Sequence, residues 1–466
     1  MPELLLALDA GTTTMRACLF SPGGALLGRA AQRLTTRSPA PGLAEQDPAA
    51  VWRAARKAMA GALGARTWAD VAAIGVTSQR TSAMLWDRKG GKPLTPLVLW
   101  SDLRGAGRAA VLRDLGMPVS PQQAVTKLEA LVASVPDAAS LVAQKRLAFG
   151  NIDAFLTFKL TGIHATDRSQ AWPTGYLDLA TFGWNPAVMG LQNLDPSIFP
   201  MLVDTWGEIG RTREGAPVAA IVADQQSAML GHGAEAAGES KVTYGTSATL
   251  NVSTGGDFVW KGGTIPPFVL SSVGSETRFC LEGMVNSAGA GLDWLRKTFR
   301  LGDHARMETL AQAHPDAGGV AVLPAFQGLG APHGDLTRRA AVTGLSLASG
   351  PGQIARAGLE GLAFRVREVF EHVYTETGLA APDALPVDGG LTGSDALMQV
   401  QADLLGRPVQ RHALRDATAA GAALAAARGI GLKTSGFARY DRFFEPAVSR
   451  DEADARFSAW KEAVHV

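Results

Sequence analysis

Cysteine, long apolar runs and an excess of either charge are all scarce in this chain of 466 residues. Its two cysteines, Cys18 and Cys280, both lie in apolar surroundings, which excludes a disulfide framework and a zinc site. No stretch approaches the roughly 18 apolar residues of a membrane span, and residues 4–8 run into Asp9 without a basic leader segment. A formal net charge of +1 provides no bulk field for nucleic acid. We therefore expect a cytoplasmic protein with no nucleic-acid and no membrane partner.

The chain is too long for one hydrophobic core, so two domains are expected. Its composition, 46% hydrophobic and 19% charged, is that of an ordinary soluble globular enzyme. Strand and helix signals alternate, which favours layered α/β domains, and no short repeat is present. The order of these signals predicts an N-terminal domain over residues 1–235 and a C-terminal domain over residues 236–466.

Hydrophobic periodicity and turn residues predict the element boundaries. Strands are predicted at residues 25–34, 71–76, 83–86, 319–323 and 384–387, and helices at 48–63, 286–299, 352–377, 395–405, 417–427 and 451–464. Residues 120–217 are less regular, with loop signals around residues 172–175. We interpret them as an insertion that shapes one wall of a cleft.

One pattern occurs twice: an apolar strand, a small hydroxyl-rich turn and a second apolar strand. The first copy is LLLALDAGTTTMRACLF at residues 4–20, and the second is KVTYGTSATLNVS at residues 241–253. Successive main-chain N–H groups and Thr hydroxyls suit phosphate oxygens, and glycine allows a close approach. Two such turns predict a nucleotide clamped between two domains, held at Gly11, Thr12, Thr13, Thr14, Gly245 and Thr246. No GxxxxGK[ST] sequence is present, which excludes a P-loop NTPase.

Three acidic residues follow apolar strands. Asp9 precedes the first turn, where a carboxylate suits Mg²⁺ or its water shell, and a plain turn residue is the alternative. Asp224, in IVADQQSAML, could accept a proton from a substrate hydroxyl, and a helix N-cap is the alternative. Asp388 is followed by Gly389 and Gly390, a pair that lets a flat ligand lie against the backbone or that simply makes a tight turn.

Arg80 and Trp100 indicate a polyhydroxylated ligand. Arg80 follows a buried strand in GVTSQRTSAMLW, and Trp100 ends the apolar run at residues 96–100. An arginine offers a donor fork for hydroxyls, and an aromatic ring offers a face for C–H edges. A salt-bridged arginine and a core tryptophan are the alternatives at these positions.

Taken together, these segments resemble the FGGY carbohydrate kinases, the sugar and polyol kinases of the actin-like ATPase superfamily, and within them the glycerol-kinase branch. The likeness runs almost from end to end. Its segments are ALDAGTTTMRA, GLAEQDPAAVW (42–52), AIGVTSQR, FGNIDAFLTFKLTG (149–162), ADQQSAMLG, TYGTSATL, LPAFQGLGAP (323–332), AAVTGLSLASGPGQIARAGLEG (340–361) and VDGGLTGSDALMQVQADLLG (387–406).

The resemblance implies two α/β domains of the ribonuclease-H-like, actin-like ATPase type that close on ATP–Mg²⁺ and a sugar or polyol in an interdomain cleft. It implies that the first turn cradles phosphates with Arg16 nearby, and that Thr246 faces them from the second domain. Asp224 would be the general base, and Asp9 would help to hold the metal. The adenosine pocket would be lined by Gly289, Gly389, Gly390 and Ser394.

The acceptor side departs from the glycerol-kinase pattern. The residues that match the pattern are Arg80, Trp100, Asp224 and Gln225. Thr81 stands where an acidic residue is expected, Gln122 and Thr249 stand where aromatic residues are expected, and Ala130 replaces a tryptophan near Lys127. Such a pocket is wider and richer in hydroxyl groups. A polyol or sugar of about four to seven carbons therefore fits it better than glycerol.

We predict ATP-dependent transfer of the γ-phosphate to a hydroxyl of a small sugar or polyol, with Mg²⁺ as a second cofactor. A ketopentose kinase of the xylulose or ribulose type and glycerol kinase itself are the alternatives within the family. Two other classes are a chaperone-like ATPase without a sugar substrate and a sugar-responsive regulator, which would need an added DNA-binding helix-turn-helix that we do not expect. A small-molecule substrate is the expected partner, and a homodimer stays open.

Overall fold

The computed structural model describes residues 3–465, in which strands and helices alternate. The strands are β1 Leu4–Ala10, β2 Thr14–Phe20, β3 Leu26–Arg33, β4 Glu45–Gln46, β5 Val71–Ser78, β6 Met84–Asp87, β7 Lys92–Pro93, β8 Leu97–Val98, β9 Leu147–Gly150, β10 Ala165–Asp167, β11 Leu177–Asp178, β12 Gly183–Trp184, β13 Met201–Val203, β14 Trp206–Arg211, β15 Pro217–Ala223, β16 Ser240–Tyr244, β17 Ala248–Gly255, β18 Pro267–Val273, β19 Glu276–Val285, β20 Ala321–Leu323, β21 Ala341–Thr343, β22 Leu385–Asp388, β23 Val409–His412 and β24 Tyr440–Phe444.

The α-helices are α1 Pro48–Leu63, α2 Ala106–Asp114, α3 Leu128–Ala133, α4 Ala138–Ala143, α5 Ile152–Thr161, α6 Arg168–Ala171, α7 Pro186–Leu191, α8 Asp224–His232, α9 Gly289–Thr298, α10 His304–Gln312, α11 Pro351–Thr377, α12 Asp395–Leu405, α13 Ala417–Gly429 and α14 Arg450–Val464. Short 3₁₀ turns lie at Trp68–Asp70, Ala124–Thr126, Trp172–Thr174, Pro196–Ile198 and Gly390–Gly393. Between residues 3 and 465, no helix has the length and apolar character needed to cross a membrane.

Two compact units share these elements. The first contains the residues up to Gly231, Phe268–Thr277 and Thr418–Phe437. The second contains His232–Pro267, Arg278–Ala417 and the residues from Ala438 onward. The first unit therefore takes most of α13 and most of β18 from the C-terminal half of the sequence.

A six-stranded sheet forms the centre of the first unit, in the order β14-β15-β5-β1-β2-β3. β5 pairs in parallel with both β1 and β15, whereas β1, β2 and β3 form an antiparallel meander. Every residue of β5 and β15 is buried, as expected for parallel strands that are covered on both faces. The register places Asp9 opposite Thr77 and Ala223 opposite Ser78, so the carboxyl ends of β1, β5 and β15 meet at one edge.

Helix α1 shows how the sequence sets an element boundary in this unit. Asp47 is the N-cap, its carboxylate accepts a hydrogen bond from the Ala49 N–H, and Pro48 occupies the first turn. Buried residues recur three and four positions apart from Val51 to Leu63, on the face that contacts β2 and β3. The predicted helix at residues 48–63 is confirmed.

In the second unit, strands run in the order β19-β17-β16-β22-β23-β24. β16 and β17 form the second antiparallel hairpin, and β16 pairs in parallel with β22 so that Thr243 lies opposite Asp388. The long helix α11 contacts α10 and α12 and buries an apolar face that includes Leu362, Val366 and Val369. Both hairpins that the sequence predicts are confirmed.

Most predicted elements are confirmed within a few residues, including the helices that correspond to α11, α12 and α14. The interpretation of residues 120–217 as an insertion is wrong in two places. Helix α5 contacts β5 and β15, and β14 is the edge strand of the main sheet. Six consecutive residues from Ile152 to Thr157 are buried, so α5 has no polar face to reveal its period. The expected loop at residues 172–175 is mostly a 3₁₀ turn.

Helix α13 approaches its neighbours closely enough to exclude side chains. A Cβ on Gly421 would lie 1.7 Å from the carbonyl oxygen of Ser227, and one on Gly75 would lie 2.1 Å from that of Ala422. Small residues therefore let the backbone of α13 contact α8 and β5 directly. The alanine-rich composition of this helix is a packing requirement.

Two carboxylates are completely buried in the first unit. Asp153 in α5 accepts a hydrogen bond from the Thr166 hydroxyl at 2.6 Å, and Asp167 is the N-cap of α6. Removal from water raises the pKa of Asp153 to about 7 and the pKa of Asp167 to about 6. The negative charge of Asp167 adds to the rise at Asp153. Both groups therefore exchange protons at higher pH than carboxylates in water.

Replacing Gly421 by alanine should destabilise the protein by about 1–3 kcal/mol, because the added methyl group meets backbone that cannot move away. Gly107→Ala in α2 is the matched control, because an added Cβ there meets nothing within 4 Å. This second variant should be more stable than the wild type by about 0.5–1 kcal/mol, since alanine is the better helix former. Urea denaturation measures both changes. A Gly421→Ala variant as stable as the wild type would contradict the close packing of α13.

The pKa of Asp153 in the folded protein lies above its value in the unfolded chain, so the folded state binds more protons between about pH 4 and about pH 7. The wild type should lose stability as the pH rises through this range, by up to about 1.4 kcal/mol per pH unit for one group. Asp153→Asn keeps an acceptor oxygen for Thr166 and abolishes the titration. The free energy of unfolding of Asp153→Asn relative to the wild type should therefore increase with pH in chemical denaturation. A pH-independent difference would refute the buried titration.

Candidate functional site

The first hairpin turn lies in the first unit between β1 and β2. The Gly11 N–H donates to the Thr14 carbonyl at 3.1 Å, and the Leu34 N–H donates to the Thr13 carbonyl at 2.8 Å. The second of these bonds ties the turn to the end of β3. A turn of glycine and hydroxyl residues at the carboxyl edge of the sheet is suited to anionic oxygens.

Thr12 joins this turn to an aromatic side chain. Its hydroxyl donates to Gln79 Oε1 at 3.0 Å and accepts a hydrogen bond from Trp100 Nε1–H at 3.0 Å. Gln46 Nε2 donates to the Thr12 carbonyl at 2.6 Å. Trp100 is 36% exposed, which rules out a core tryptophan. The turn and the candidate acceptor aromatic therefore share one hydrogen-bonded cluster.

Asp9 lies near the end of β1, opposite Arg16 of β2. Arg16 Nη1 is 3.1 Å from Asp9 Oδ2, and Asp9 is only 3% exposed. Among the described residues there is no group of three or more His, Cys, Asp or Glu side chains that could hold a metal ion. A cation at Asp9 would therefore take most of its ligands from water or phosphate oxygens, as Mg²⁺ commonly does.

Arg80 and Asp224 follow neighbouring parallel strands. β5 ends at Ser78 and β15 ends at Ala223, and these two residues lie opposite each other in the register. Arg80 Nε is 3.8 Å from Asp224 Oδ1, and the two side chains are 14% and 27% exposed. Asp224 is also the first residue of α8, and its Oδ1 accepts a hydrogen bond from the Gln225 N–H at 2.8 Å. Arg80 is therefore a salt-bridged arginine and Asp224 is a helix-terminal aspartate, and both side chains are partly exposed.

Two residues that depart from the glycerol-kinase pattern lie in constrained local structure. Thr81 has a φ of 60°, in the left-handed region that a β-branched residue rarely adopts. The exposed Gln122 accepts a hydrogen bond on its carbonyl from Lys127 Nζ at 3.0 Å, and the same Nζ donates to the Leu99 carbonyl at 2.9 Å. Burial lowers the pKa of Lys127 to about 8. Lys127 therefore links the main chain at Gln122 to the residue before Trp100.

A buried hydrogen-bond network underlies Asp224. The Asp167 carboxylate accepts hydrogen bonds from the hydroxyls of Ser169 and Thr205 at 2.8 and 2.9 Å. Ser169 Oγ in turn accepts a hydrogen bond from the Ala223 N–H at 2.9 Å. The residue immediately before Asp224 is therefore bonded through one hydroxyl to a buried carboxylate.

Gln170 extends this network from α6 to β5. Its Nε2 donates to the Ser78 carbonyl at 3.1 Å and to the Ser78 hydroxyl at 2.9 Å. Gln79 and Arg80 follow directly in the chain. Sequence reasoning missed both Asp167 and Gln170, and the only local signal was the N-cap pattern of an aspartate followed two residues later by a serine.

The second hairpin turn lies in the second unit between β16 and β17. The Gly245 N–H donates to the Ser247 carbonyl at 2.8 Å. The start of α9 packs on this turn, with Gly289 N–H donating to the Gly245 carbonyl at 3.0 Å and Ala290 N–H donating to the Thr246 carbonyl at 3.3 Å. A Cβ on Gly289 would lie 2.7 Å from the Gly245 oxygen, so this approach requires glycine. The fold thus brings three of the predicted nucleotide residues together.

The glycine pair after β22 contacts the strand that leads into this turn. Gly389 has a φ of 97°, and a Cβ on it would lie 2.4 Å from the carbonyl oxygen of Tyr244, the last residue of β16. Gly390 is exposed, and the Ser394 side chain caps α12 by accepting a hydrogen bond from the Leu397 N–H at 3.2 Å. The pair therefore makes a tight turn and also leaves an open backbone surface.

Hydrogen-bonded polar side chains connect β16 and β22, with Lys241 and Asp388 buried and Thr243 half-buried. Lys241 Nζ donates to Thr243 Oγ1 at 2.8 Å, and Thr243 Oγ1 donates to Asp388 Oδ1 at 2.5 Å. Burial alone raises the pKa of Asp388, but His232 and Lys241 outweigh it and hold this pKa below its usual range. Thr249 lies opposite Thr243 in the register and is 6% exposed. Of the predicted acceptor residues, Thr249 is the one in the second unit.

Comparison with known families matches this chain in two parts. Residues 4–231 match the N-terminal domain of the FGGY family of carbohydrate kinases. Residues 240–430 match the C-terminal domain of the same family.

Full-length relatives agree with this match. The chain is 38% identical to the glycerol kinase of Alkalilimnicola ehrlichii over 99% of this chain and 98% of that protein. It is 36% identical to the glycerol kinase of Thermus brockianus, with the same coverage of 99% and 98%.

Solved structures share the fold. The Plasmodium falciparum glycerol kinase with ADP superposes with a TM-score of 0.91 at 24% identity, covering 99% of this chain and 97% of that one. A xylulose kinase from Rhodospirillum rubrum superposes with a TM-score of 0.84 at 27% identity, covering 99% of both chains. The chain therefore belongs to the FGGY family of carbohydrate kinases, and it is an ATP-dependent phosphotransferase of the two-domain actin-like ATPase fold that acts on an alcohol group of a small sugar or polyol.

Proposed function

We propose that this kinase phosphorylates a polyol or sugar longer than glycerol, with Asp224 as the general base. The observation that carries the proposal is the Arg80–Asp224 pair, in which Arg80 Nε lies 3.8 Å from Asp224 Oδ1 at the carboxyl ends of two parallel strands. A partly exposed carboxylate held beside a donor fork suits a substrate hydroxyl that must be oriented and then deprotonated.

The acceptor class follows from three departures from the glycerol-kinase pattern. Thr81, Gln122 and Thr249 carry hydroxyl and amide groups where that pattern has one acid and two aromatic residues. Smaller and more polar side chains leave room for additional hydroxyl groups of about a four- to seven-carbon acceptor. Glycerol is the second candidate, because full-length relatives at 38% and 36% identity are glycerol kinases. A ketopentose is the third, supported by the similarity in fold to a xylulose kinase.

Asp224 would accept the hydroxyl proton late in the reaction. The transition state of phosphoryl transfer is loose, so the attacking oxygen needs alignment more than activation. Alignment of two bound substrates can supply about 7–11 kcal/mol, whereas a general base contributes about 10²- to 10⁴-fold in rate. Arg80 and Gln225 lie beside the carboxylate and would orient the acceptor, and Trp100 would cover its C–H edges.

The proposed nucleotide residues belong to two groups, one in each unit. In the first unit, the main-chain N–H groups of the turn at Gly11, Thr12, Thr13 and Thr14 would contact phosphate oxygens, with Arg16 nearby. In the second unit, Gly245 and Thr246 would contact phosphates, and the adenosine would lie against Gly289, Gly389, Gly390 and Ser394. The close backbone approaches at Gly289 and Gly389 support this assignment, because a flat ligand needs a surface without side chains.

Asp9 fits a magnesium ion that takes most of its ligands from phosphate and water oxygens. Mg²⁺ at kinase sites takes one or two carboxylates together with phosphate and water oxygens, and Asp9 is a single buried carboxylate next to the first turn. Bound there, Mg²⁺ would neutralise charge on the phosphate oxygens. The domain division at residues 235 and 236 and the cytoplasmic location remain predictions, the location supported by the need for ATP, and a homodimer stays open.

Asp224→Asn should bind ATP almost normally and transfer phosphate at least about a hundredfold more slowly, because the amide cannot accept the hydroxyl proton. Asp47→Asn is the matched control, since it makes the same change at the N-cap of α1, where asparagine caps equally well. A coupled ADP-release assay measures the rates, and titration calorimetry measures ATP binding. Near-full kinase activity of Asp224→Asn would remove Asp224 from the mechanism.

The acceptor preference is testable with one substrate panel. We expect tetritols, pentitols or ketopentoses to give a higher kcat/KM than glycerol in the ADP-release assay, because the acceptor side is wider and more polar. Asp224→Asn serves as the blank for each acceptor. Glycerol as the clear best substrate would refute the interpretation of Thr81, Gln122 and Thr249.

A further inference from the structure

An aromatic side chain that the sequence patterns did not single out lies against the acceptor arginine. The Arg80 guanidinium carbon is 4.5 Å from the ring centroid of Phe268. Phe268 is a half-buried residue of β18, and it belongs to the first unit together with Arg80 and Asp224. The same guanidinium group has its Nε 3.8 Å from Asp224 Oδ1. One arginine is therefore contacted by a ring and by the proposed base.

The strand that carries Phe268 is bonded to the network beneath Asp224. The Ser272 N–H donates to Thr205 Oγ1 at 2.9 Å, and Thr205 Oγ1 donates to the Asp167 carboxylate at 2.9 Å. The Thr205 N–H donates to the Ser272 carbonyl at 2.8 Å. Asp167 also holds the residue before Asp224 through Ser169. The strand that carries Phe268 and the residue before Asp224 are therefore anchored to the same buried carboxylate.

A ring in this position restricts the arginine more than an aliphatic side chain would. A guanidinium group is planar and stacks on aromatic faces, where the ring quadrupole attracts its positive charge. The N–H donors of a guanidinium lie in its own plane, at its edge. When that plane lies flat against a ring, the donors point sideways and stay free to bind other groups. Arg80 Nε lies on this edge, 3.8 Å from Asp224 Oδ1, and the edge would also be available to a hydroxyl group of the acceptor.

We propose that Phe268 is a positioning residue for acceptor recognition, whose ring fixes the Arg80 guanidinium beside Asp224. The inference rests on the proposed function, because it assumes that Arg80 binds the acceptor. This role would also place the aromatic residue of the acceptor side at a different position from the one in the family pattern. The family pattern places a phenylalanine at the position of Thr249, whereas this chain has an aromatic ring at position 268 in the first unit. Phe268 therefore contributes to a specificity that differs from that of glycerol kinase.

The test compares Phe268→Leu, Phe268→Met and Phe268→Tyr with the wild type, using erythritol and glycerol as acceptors. We expect the leucine and methionine variants to raise the acceptor KM by about 3- to 30-fold, the range that loss of a cation–aromatic contact implies. The KM for ATP should stay within about twofold, since the ring lies against Arg80, which is proposed to bind the acceptor and not the nucleotide. The tyrosine variant keeps the ring and should stay close to the wild type. A thermal melt of each variant confirms folding, and the methionine variant serves if the leucine variant does not fold.

Trp52→Leu is the matched control. Lys159 Nζ lies 5.8 Å from the Trp52 ring centroid, so this variant removes a cation–aromatic contact of the same unit without touching the site residues. It should leave both KM values unchanged. A double-mutant cycle with Arg80→Lys adds a second readout. The effect of Phe268→Leu should shrink in that background, because an ammonium group has no planar face to stack.

The outcomes separate the inference from the proposed function. An unchanged acceptor KM in Phe268→Leu, an equal rise of both KM values, or the same effect in the Arg80→Lys background would overturn the role of Phe268. If Asp224→Asn is inactive at the same time, the proposed function stands and only this inference fails. If Asp224→Asn keeps wild-type activity, the proposed function fails, and the inference fails with it.

Discussion

The hydrogen bonds to the buried carboxylate of Asp167 are the interaction on which the proposed acceptor side of the first unit depends. A carboxylate removed from water is costly unless donors surround it, and here two hydroxyls and two main-chain N–H groups converge on its two oxygens. Three chain segments are fixed by these bonds or by the adjacent Gln170: the end of β5, the end of β15 and β18. Arg80, Asp224 and Phe268 project from those segments. The segments that carry these three residues are therefore anchored to one buried hydrogen-bond network.

The second unit positions its candidate residues in a different way. At Gly245, Gly289 and Gly389 the backbone segments approach so closely that a Cβ on Gly289 or Gly389 would clash with a carbonyl oxygen. Recognition of a flat ring needs a surface, and absent side chains provide one. Recognition of hydroxyl groups needs directional donors and acceptors, and a buried polar network provides those. Under the proposed assignment, the first unit would therefore recognise its ligand with polar side chains, and the second unit would do so with backbone that side chains leave uncovered.

The sequence predicted the parts of the fold that local rules determine. Both hairpins, the capped helix α1 and helices α11, α12 and α14 follow from turn residues, caps and periodicity, and they are confirmed. Asp9, Arg80 and Asp224 could be selected because each lies at or shortly after the end of an apolar strand. Phe268, Asp167 and Gln170 could not, because their importance arises from contacts between segments that are distant in sequence. Helix α5 was missed because it is buried on all sides over residues 152–157. Its apolar residues are therefore not confined to one face, and the helical period is weak in the sequence.

The hydroxyl of Thr12 has only one proton, and that proton is directed to Gln79 Oε1 while Trp100 donates to the oxygen. A phosphate group at this turn would therefore accept hydrogen bonds from main-chain N–H groups. The Thr12 side chain is instead hydrogen-bonded to Gln79 and Trp100. Anyone who redesigns the acceptor specificity of this kinase by changing Trp100 would also remove a donor from Thr12. If the turn binds phosphate and Trp100 contacts the acceptor as proposed, these two sites are linked through the Thr12 hydroxyl oxygen. Substitutions at positions 12, 79 and 100 would then have to be designed as a set.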